Sequence, residues 1–202
     1  MKKVISNQFF IRKPKALIDI FMDSCTLLHS KLMNIFIFML QYKVKHNLEN
    51  FKDNMKKDDY IEIRNMIDSR YLDSTYIISM NQICDLALNT SRLNIEKSLL
   101  SILSVKFKLS YLNDNDVVEA KRFSNLFIDI IIPKTKDKYI VIVVNKFFTD
   151  IVINNLHGFT YFKLLTLNNF DSIYALKIYE YIYSKIDIPQ DTIKKANKTF
   201  LI

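Results

Sequence analysis

The chain has 202 residues, 50% of them hydrophobic, so it is long enough to bury a full-sized core in one large domain or two small ones. Its formal net charge of +8 suits an anionic partner such as DNA, although lysines also serve solubility. The single glycine argues against the glycine-rich phosphate loops of nucleotide-dependent motors and dinucleotide-binding enzymes.

Cysteines and histidines are too few and too scattered to form a recognisable catalytic or metal site. Cys25 and Cys84 lie in apolar helical patterns, which fits a reducing cytoplasm better than a disulfide framework. The histidines lack ligand neighbours and are expected at surface or half-buried positions: His29, His46 and His157. No apolar run reaches the ~20 residues of a membrane span. We therefore expect no enzymatic activity, no metal, no cofactor and no membrane contact.

Apolar residues at helical spacing predict two helices near the start of the chain. Pro14 is placed in the first turn of one helix, and a stronger helix continues to about Val44. Across both helices a heptad pattern runs through Ile18, Phe21, Cys25, Leu28, Leu32, Ile35, Met39 and Tyr42. This stripe predicts either a short zipper between subunits or packing of the helices onto their own domain.

A short helix, a polar break and a second helix follow a linking stretch at 46–73. Ser79 is expected to cap the first helix, whose apolar side would hold Met80, Ile83, Cys84, Leu86 and Ala87. The break at Asn89-Thr90-Ser91 places the start of the second helix at Arg92. The pattern predicts either a helix-turn-helix or an ordinary helical hairpin in an α+β core.

The second helix of this pair is the candidate recognition helix. Its predicted inner face is Leu93, Leu99, Leu100 and Leu103. Residue types that donate hydrogen bonds to phosphates or base edges occupy the predicted DNA-binding positions, which are Ser91, Arg92, Asn94, Lys97 and Ser101.

Strand patterns follow the candidate recognition helix. Residues 105–109 alternate apolar and basic side chains, as a half-buried strand does, and carry Lys106 and Lys108. A polar connection is predicted at 113–122, and a hairpin from the runs 126–132 and 139–144. The hairpin tip carries Lys134, Lys136 and Lys138. A winged helix holds its DNA-contacting wing at this place, whereas a lysine-rich tip that serves only solubility is the alternative.

The C-terminal part is predicted to hold a helix stopped by Gly158, a short apolar segment at 159–167, and a last helix capped by Asp171 or Ser172. Apolar residues cover much of the circumference of the last helix, which predicts burial on more than one side: Ile173, Leu176, Ile178, Tyr179, Ile182 and Tyr183. The expected domain spans 1–188, and 189–202 forms a polar tail or linker remnant.

The run 159–164, FTYFKL, followed by 170–180, FDSIYALKIYE, resembles a signature of theta-type plasmid replication initiator (Rep) proteins, which reads roughly F-T-x-Y … L-x-S-x-Y-(S/A)-x-(R/K)-(L/I)-Y-E. The resemblance implies two consecutive winged-helix domains, one for dimerisation and backbone contacts and one that reads repeated origin sites called iterons. This chain resembles only the first, as a fragment or a natural short form. We expect Tyr174, Tyr179 and Glu180 to act in packing.

These patterns together predict an α+β fold: a winged helix with extra N-terminal helices and a β-hairpin wing. The expected function is a cytoplasmic plasmid replication initiator, or its N-terminal dimerisation and DNA-binding domain. Its expected partners are double-stranded DNA at plasmid origin iterons or an operator, a second copy in a homodimer, and host replication proteins. The alternatives are a stand-alone winged-helix transcriptional repressor and a protein-interaction module that does not bind DNA.

Overall fold

The computed structural model describes residues 9–20, 26–45, 70, 74–88, 90–112, 118–132, 139–154 and 158–186. Within these ranges the elements are β1 (Phe10–Pro14), α1 (Lys15–Ile20), α2 (Leu27–Lys45), β2 (Thr75–Ser79), α3 (Met80–Ala87), α4 (Arg92–Ile102), β3 (Lys106–Leu112), β4 (Val118–Asn125), β5 (Phe127–Ile131), β6 (Tyr139–Val144), α5 (Lys146–Asn154), β7 (Phe159–Lys163), α6 (Leu164–Asn168) and α7 (Ile173–Lys185). Helices and small antiparallel sheets alternate, so the expected α+β class is confirmed.

The central sheet has the strand order β2-β6-β5, with β6 antiparallel to both neighbours. β6 is the β-branched run YIVIVV, and its residues from Ile140 to Val144 are all buried, as a middle strand covered on both faces should be. The pairing of β5 with β6 confirms the predicted hairpin, whose turn at 133–138 lies outside the described residues. β2, which we do not predict from the sequence, pairs with β6 along its whole length.

A second sheet joins residues that are far apart in the sequence, because β1 runs antiparallel to β7. The prediction that Pro14 lies in the first turn of a helix is wrong by one residue, because the pairing of β1 with β7 extends to Pro14 and α1 begins at Lys15. The backbone N–H of Lys15 donates to the carbonyl oxygen of Gly158 at 3.1 Å, and Gly158 has a φ of 82°, a left-handed conformation that favours glycine.

The predicted apolar segment at 159–167 is in fact two elements, the strand β7 and the short helix α6. β7 has a partner only because β1 lies beside it, a pairing that no local pattern reveals. The helix predicted before Gly158 is present as α5 and ends at Asn154.

The third sheet is the long hairpin of β3 and β4. The strand predicted at 105–109 is confirmed and continues to Leu112. The polar connection predicted at 113–122 is wrong in its second half, because β4 begins at Val118 and pairs with β3. Backbone pairing with an existing strand overrides the weak strand propensity of polar residues.

Helix α2 is the centre of the core and contacts β1, α3, α4, α5 and α6. Every residue from His29 to Ile37 is buried, so helices and strands cover it on all sides. The heptad positions Leu32 and Ile35 are fully enclosed by their own chain and are not accessible to another subunit. Of the two predicted uses of this stripe, the structure therefore supports packing onto the chain's own domain.

A buried polar network crosses the core beside α2. The ammonium of Lys13 in β1 contacts the carboxylate of Glu180 in α7 and donates to the side-chain oxygen of Asn34 at 3.0 Å. Asn34 donates to Asn168 at 3.4 Å, and Asn168 donates to the carbonyl oxygen of Leu86, the penultimate residue of α3, at 2.9 Å. Buried charges need such partners. The network therefore fixes how β1, α2, α3, α6 and α7 meet.

Glu180 also determines the rotation of α7 about its axis. Leu176, Lys177 and Glu180 are buried, and Lys177 contacts the second carboxylate oxygen of Glu180 at 3.4 Å. Ile178 and Ile182, which we expect to be buried, are 59% and 54% exposed. The prediction of an apolar inner side is wrong for these two residues because the buried ion pair lies on the opposite side of the helix.

Tyr174, Tyr179 and Glu180, which are expected to act in packing, differ in how deeply they are buried. Glu180 is fully buried in the polar network, and Tyr179 is half-buried in an aromatic cluster with Phe162 and Tyr183. Tyr174 is 79% exposed, so it has no packing role within its own chain.

Candidate nucleic-acid interface

The first helix of the candidate motif starts directly at the end of a strand. Ser79 ends β2 and is the N-cap of α3, as predicted: its hydroxyl accepts from the backbone N–H of Gln82 at 3.1 Å. The side chain of Gln82 accepts from the backbone N–H of Ser79 at 3.3 Å, which completes a capping box. The central sheet therefore fixes where α3 begins.

The break between α3 and α4 lies where the sequence predicts it. α3 ends at Ala87, and Leu88 takes a positive φ of 51°, which turns the chain. Ser91 is the N-cap of α4, and its hydroxyl accepts from the backbone N–H of Asn94 at 3.3 Å. The O–H of Ser91 stays available to donate to an anion, because the cap uses only a lone pair.

The orientation of α4 differs from the prediction. Ile95, Leu99 and Ile102 are buried, whereas Leu93 and Leu100 are 59% and 60% exposed. The sequence RLNIEKSLLSI supports two apolar stripes on opposite sides of a helix, and the core packs against the one at 95, 99 and 102. The predicted inner face is therefore correct for Leu99 and wrong for Leu93 and Leu100.

The exposed side of α4 retains several of the predicted DNA-binding residues. Asn94, Lys97 and Ser101 are exposed there, and Leu93 and Leu100 are exposed on the same helix. At 100° per residue these five residues fall within about 120° of the helix circumference, in the order Leu100, Leu93, Lys97, Ser101 and Asn94. This face combines an amide, an ammonium and two apolar groups, and it can contact both the edges of bases and phosphates.

Arg92 is engaged within its own helix. Its guanidinium donates from Nε to Glu96 at 2.7 Å, and the two side chains are 29% and 31% exposed. This is an i,i+4 pair at the edge of the exposed face. The Glu96 carboxylate already partly neutralises the charge of Arg92, so Lys97 is the better-placed phosphate contact of the predicted set on α4.

Ser101 has a structural partner that the sequence does not predict. Its hydroxyl donates to the carbonyl oxygen of Ser98 at 3.1 Å and lies 2.7 Å from Nε2 of His29 on α2. Nδ1 of His29 accepts from the backbone N–H of Thr26 at 3.4 Å, so the proton of the neutral ring is on Nε2, which donates to Ser101. Ser101 therefore attaches α4 to α2.

His29 is 7% exposed, more buried than we expect from the sequence. Its backbone N–H donates to the hydroxyl of Thr26 at 3.2 Å, so the pair forms a reciprocal cap at the start of α2. The signal for this role is the spacing: a threonine N-cap with a side-chain acceptor three residues later. Burial lowers the pKa of His29 below its ordinary value of 6.5.

We expect the protein to lose stability on mild acidification because of His29. Its folded-state pKa lies below the unfolded value of 6.5, so its contribution is complete above about pH 6.5 and is lost as the pH falls through the lowered pKa. Urea unfolding of the wild type and His29→Gln between pH 8 and pH 5 measures this. The variant should show the smaller acid-dependent loss. Equal acid dependence in wild type and His29→Gln would contradict the assignment.

The predicted basic residues outside α4 lie on or between the hairpin strands. Lys106 and Lys108 are in β3, where they pair with Asn125 and Phe123 of β4. The end of α4 leads directly into β3, because the backbone N–H of Val105 donates to the carbonyl oxygen of Ile102 at 3.1 Å. Lys106 and Lys108 therefore lie in a strand that follows α4 directly.

The three lysines of the hairpin tip lie outside the described residues: Lys134, Lys136 and Lys138. The structure does describe where their turn leaves the sheet. Tyr139, the first residue after the turn, pairs with Ser79, the N-cap of α3. β6 therefore begins at the same end of the sheet as the start of α3, and the turn precedes that first residue.

The metal-ligating side chains of the described residues are scattered. Among them there is no group of three or more His, Cys, Asp and Glu side chains that could hold a metal ion. Cys84 is half-buried, and burial is the main cause that raises the pKa of its thiol, so it is a weak nucleophile at neutral pH. None of the described helices has both the length and the apolar character needed to cross a bilayer.

Comparison of the sequence with protein-family models finds no match, and neither does comparison with curated proteins. The functional assignment therefore depends on the residue pattern and on the described geometry of α3, α4 and the hairpins.

Proposed function

We propose that the chain is a non-enzymatic, cytoplasmic DNA-binding protein of the winged-helix class that acts in plasmid replication initiation. The observation that carries the proposal is the exposed face of α4, where Asn94 and Lys97 are accessible beside the capped helix start. Recognition helices contact base edges mainly with residues near their N-terminus, and both residues lie in the first two turns.

The order of elements supports the winged-helix class. Helix α2 is followed by β2, the helices α3 and α4, and then β5 and β6, with the hairpin β3-β4 between α4 and β5. In the sheet order β2-β6-β5, the last strand lies between the other two, and the lysine-rich turn connects β5 to β6. A winged helix uses such a turn as its wing.

The resemblance to Rep initiators supplies the biological role in this proposal. It depends on the residues FTYFKL and FDSIYALKIYE, which form β7, the start of α6 and most of α7. The wider expectations belong to the same proposal: origin iterons or an operator as the DNA, and host replication proteins as further partners.

DNA binding is tested by the salt dependence of the affinity for duplex DNA. If Lys97, Lys106, Lys108 and the three turn lysines contact phosphates, neutralising ~6 charges predicts a slope of about −5 in a plot of log affinity against log salt. Lys97→Ala should make the slope shallower by about 1. Asn94→Ala should change the preference among sequences. A wild-type slope near zero would contradict the proposal.

A protein-interaction role is the second candidate, and one observation favours it. Leu93 and Leu100 are about 60% exposed on the proposed DNA-binding face, and exposed leucines are typical of surfaces that bind proteins. Leu93→Ser separates the two roles: DNA affinity should fall by less than about 10-fold if the leucine only touches a thymine methyl. Absence of DNA binding in the wild type would leave the protein-interaction role.

A further inference from the structure

The exposed side of α7 is apolar along almost its whole length. Of its thirteen residues, all described, those with exposed side chains are Tyr174, Ala175, Ile178, Tyr181, Ile182 and Lys185. Tyr174 is 79% exposed and Ile178 is 59% exposed. Ile186, directly after the helix, is 54% exposed. We call the six exposed residues of the helix together with Ile186 the α7 stripe.

Helix α7 cannot bury this stripe by turning about its own axis. Glu180 on the opposite side contacts Lys13 and Lys177 in the buried network. A rotation that buried Ile178 would expose this network or separate its charges from their partners, which is strongly unfavourable in the core. An uninterrupted apolar stripe that is held outward marks a surface that something else covers.

We propose that a second copy of the chain covers the α7 stripe, with the two α7 helices antiparallel across a two-fold axis at Ile178. In this register Ile178 meets itself. Tyr174, four residues before it, meets Ile182 of the second copy, four residues after it. The small side chain of Ala175 lies opposite Tyr181 of the second copy. A two-fold interface requires such self-complementarity of one patch.

The charges at the two ends of α7 favour the antiparallel over the parallel arrangement. Lys185 is exposed at the C-terminal end, and its ammonium lies 5.2 Å over the ring of Tyr181, on the side of the stripe. Asp171 is exposed just before the N-cap Ser172, and its charge also acts on Lys31 of its own chain. Antiparallel helices bring Lys185 to the Asp171 end of the second copy, whereas parallel helices bring Lys185 beside Lys185.

The α7 pairing is independent of DNA binding, so the two proposals can fail separately. It extends the expectation of a homodimer by naming its surface. The heptad stripe of α2 does not provide that surface, because Leu32 and Ile35 are buried in their own chain.

The first test is the mass of the full chain over a concentration series, measured by sedimentation equilibrium. We expect a dimer for the wild type and an increase of the dimer dissociation constant by roughly 30-fold or more for Ile178→Glu, because a charge enters the centre of an apolar interface. Ile128→Glu is the matched control, since it makes the same chemical change at another exposed isoleucine, in β5 and away from α7. It should leave the dimer intact. A monomeric wild type would overturn the proposal and leave the stripe to another segment or partner.

The second test examines the register and remains informative if Ile178→Glu fails to fold. Tyr174→Glu and Ile182→Lys should each raise the dissociation constant by about 10-fold or more, and the double variant should return to within about 10-fold of the wild type. The two positions are about 12 Å apart along one helix, so the new charges can pair only between copies. Single variants that weaken the dimer without rescue by the double variant would overturn the antiparallel register.

Discussion

Replacement of Glu180 by Gln is expected to lower the free energy of unfolding by about 3–5 kcal/mol. Glu180 is fully buried, and its carboxylate contacts the ammonium groups of Lys13 and Lys177. A neutral amide cannot balance these charges, which remain desolvated in the core. Urea unfolding followed by circular dichroism measures the difference.

Glu96→Gln is the matched control, because it makes the same chemical change in an ion pair near the surface. The Arg92–Glu96 side chains are about 30% exposed, and such pairs contribute about 0–1 kcal/mol. Equal losses in Glu96→Gln and Glu180→Gln would contradict the assignment of the network to the core.

A double-mutant cycle with Lys13→Met tests whether the effect belongs to the pair. Lys13→Met alone should also destabilise the protein, because it removes the cation that contacts Glu180. In the Glu180→Gln background, Lys13→Met should lower the free energy of unfolding much less. The ammonium of Lys13 no longer faces a carboxylate there, and Lys13→Met removes that charge. Additive losses would show that Lys13 and Glu180 contribute independently.

Charge reversal of the three turn lysines, Lys134→Glu, Lys136→Glu and Lys138→Glu together, should lower the affinity for duplex DNA by about 100-fold near physiological salt. Each lost phosphate contact makes the slope of log affinity against log salt shallower by ~0.9, so three contacts change it by about 3. The loss should be similar for all DNA sequences, because phosphate contacts carry no base information. Fluorescence anisotropy with two unrelated duplexes measures it.

A second triple variant controls for net charge. Lys15→Glu, Lys146→Glu and Lys163→Glu change the charge by the same amount at exposed positions outside the proposed interface. Lys146 lies beyond the end of β6 that is farther from the turn. This variant should lose much less affinity. Equal losses would assign the effect to net charge and would contradict the role of the turn as a wing.

Local patterns were sufficient for elements whose signal is contained in neighbouring residues. The cap at Ser79 follows from the side-chain chemistry of serine next to a helical pattern, and the same chemistry places the start of α4 at Arg92 and leaves Asp171 or Ser172 as the cap of α7, of which the structure uses Ser172. The β5-β6 hairpin follows from two β-branched runs separated by a polar turn.

Patterns failed where two local solutions are equally good. The sequence of α4 offers one apolar stripe through Leu93 and Leu100 and another through Ile95 and Leu99, and only the second lies against the core. Because the second stripe is buried, Leu93 and Leu100 are exposed on the same side of α4 as Lys97. The proposed interface therefore contains apolar side chains as well as a cation.

The sequence by itself determined the α+β class and the starts of α3 and α4, because these properties depend on residues within one or two turns of each other, and its net charge of +8 favours an anionic partner. Only the tertiary structure decided the pairing of β1 with β7, the rotation of α4, and the burial of Glu180 with the outward apolar stripe on α7. These features depend on residues distant in sequence: Lys13 and Glu180 are 167 positions apart, and no local periodicity records that they meet.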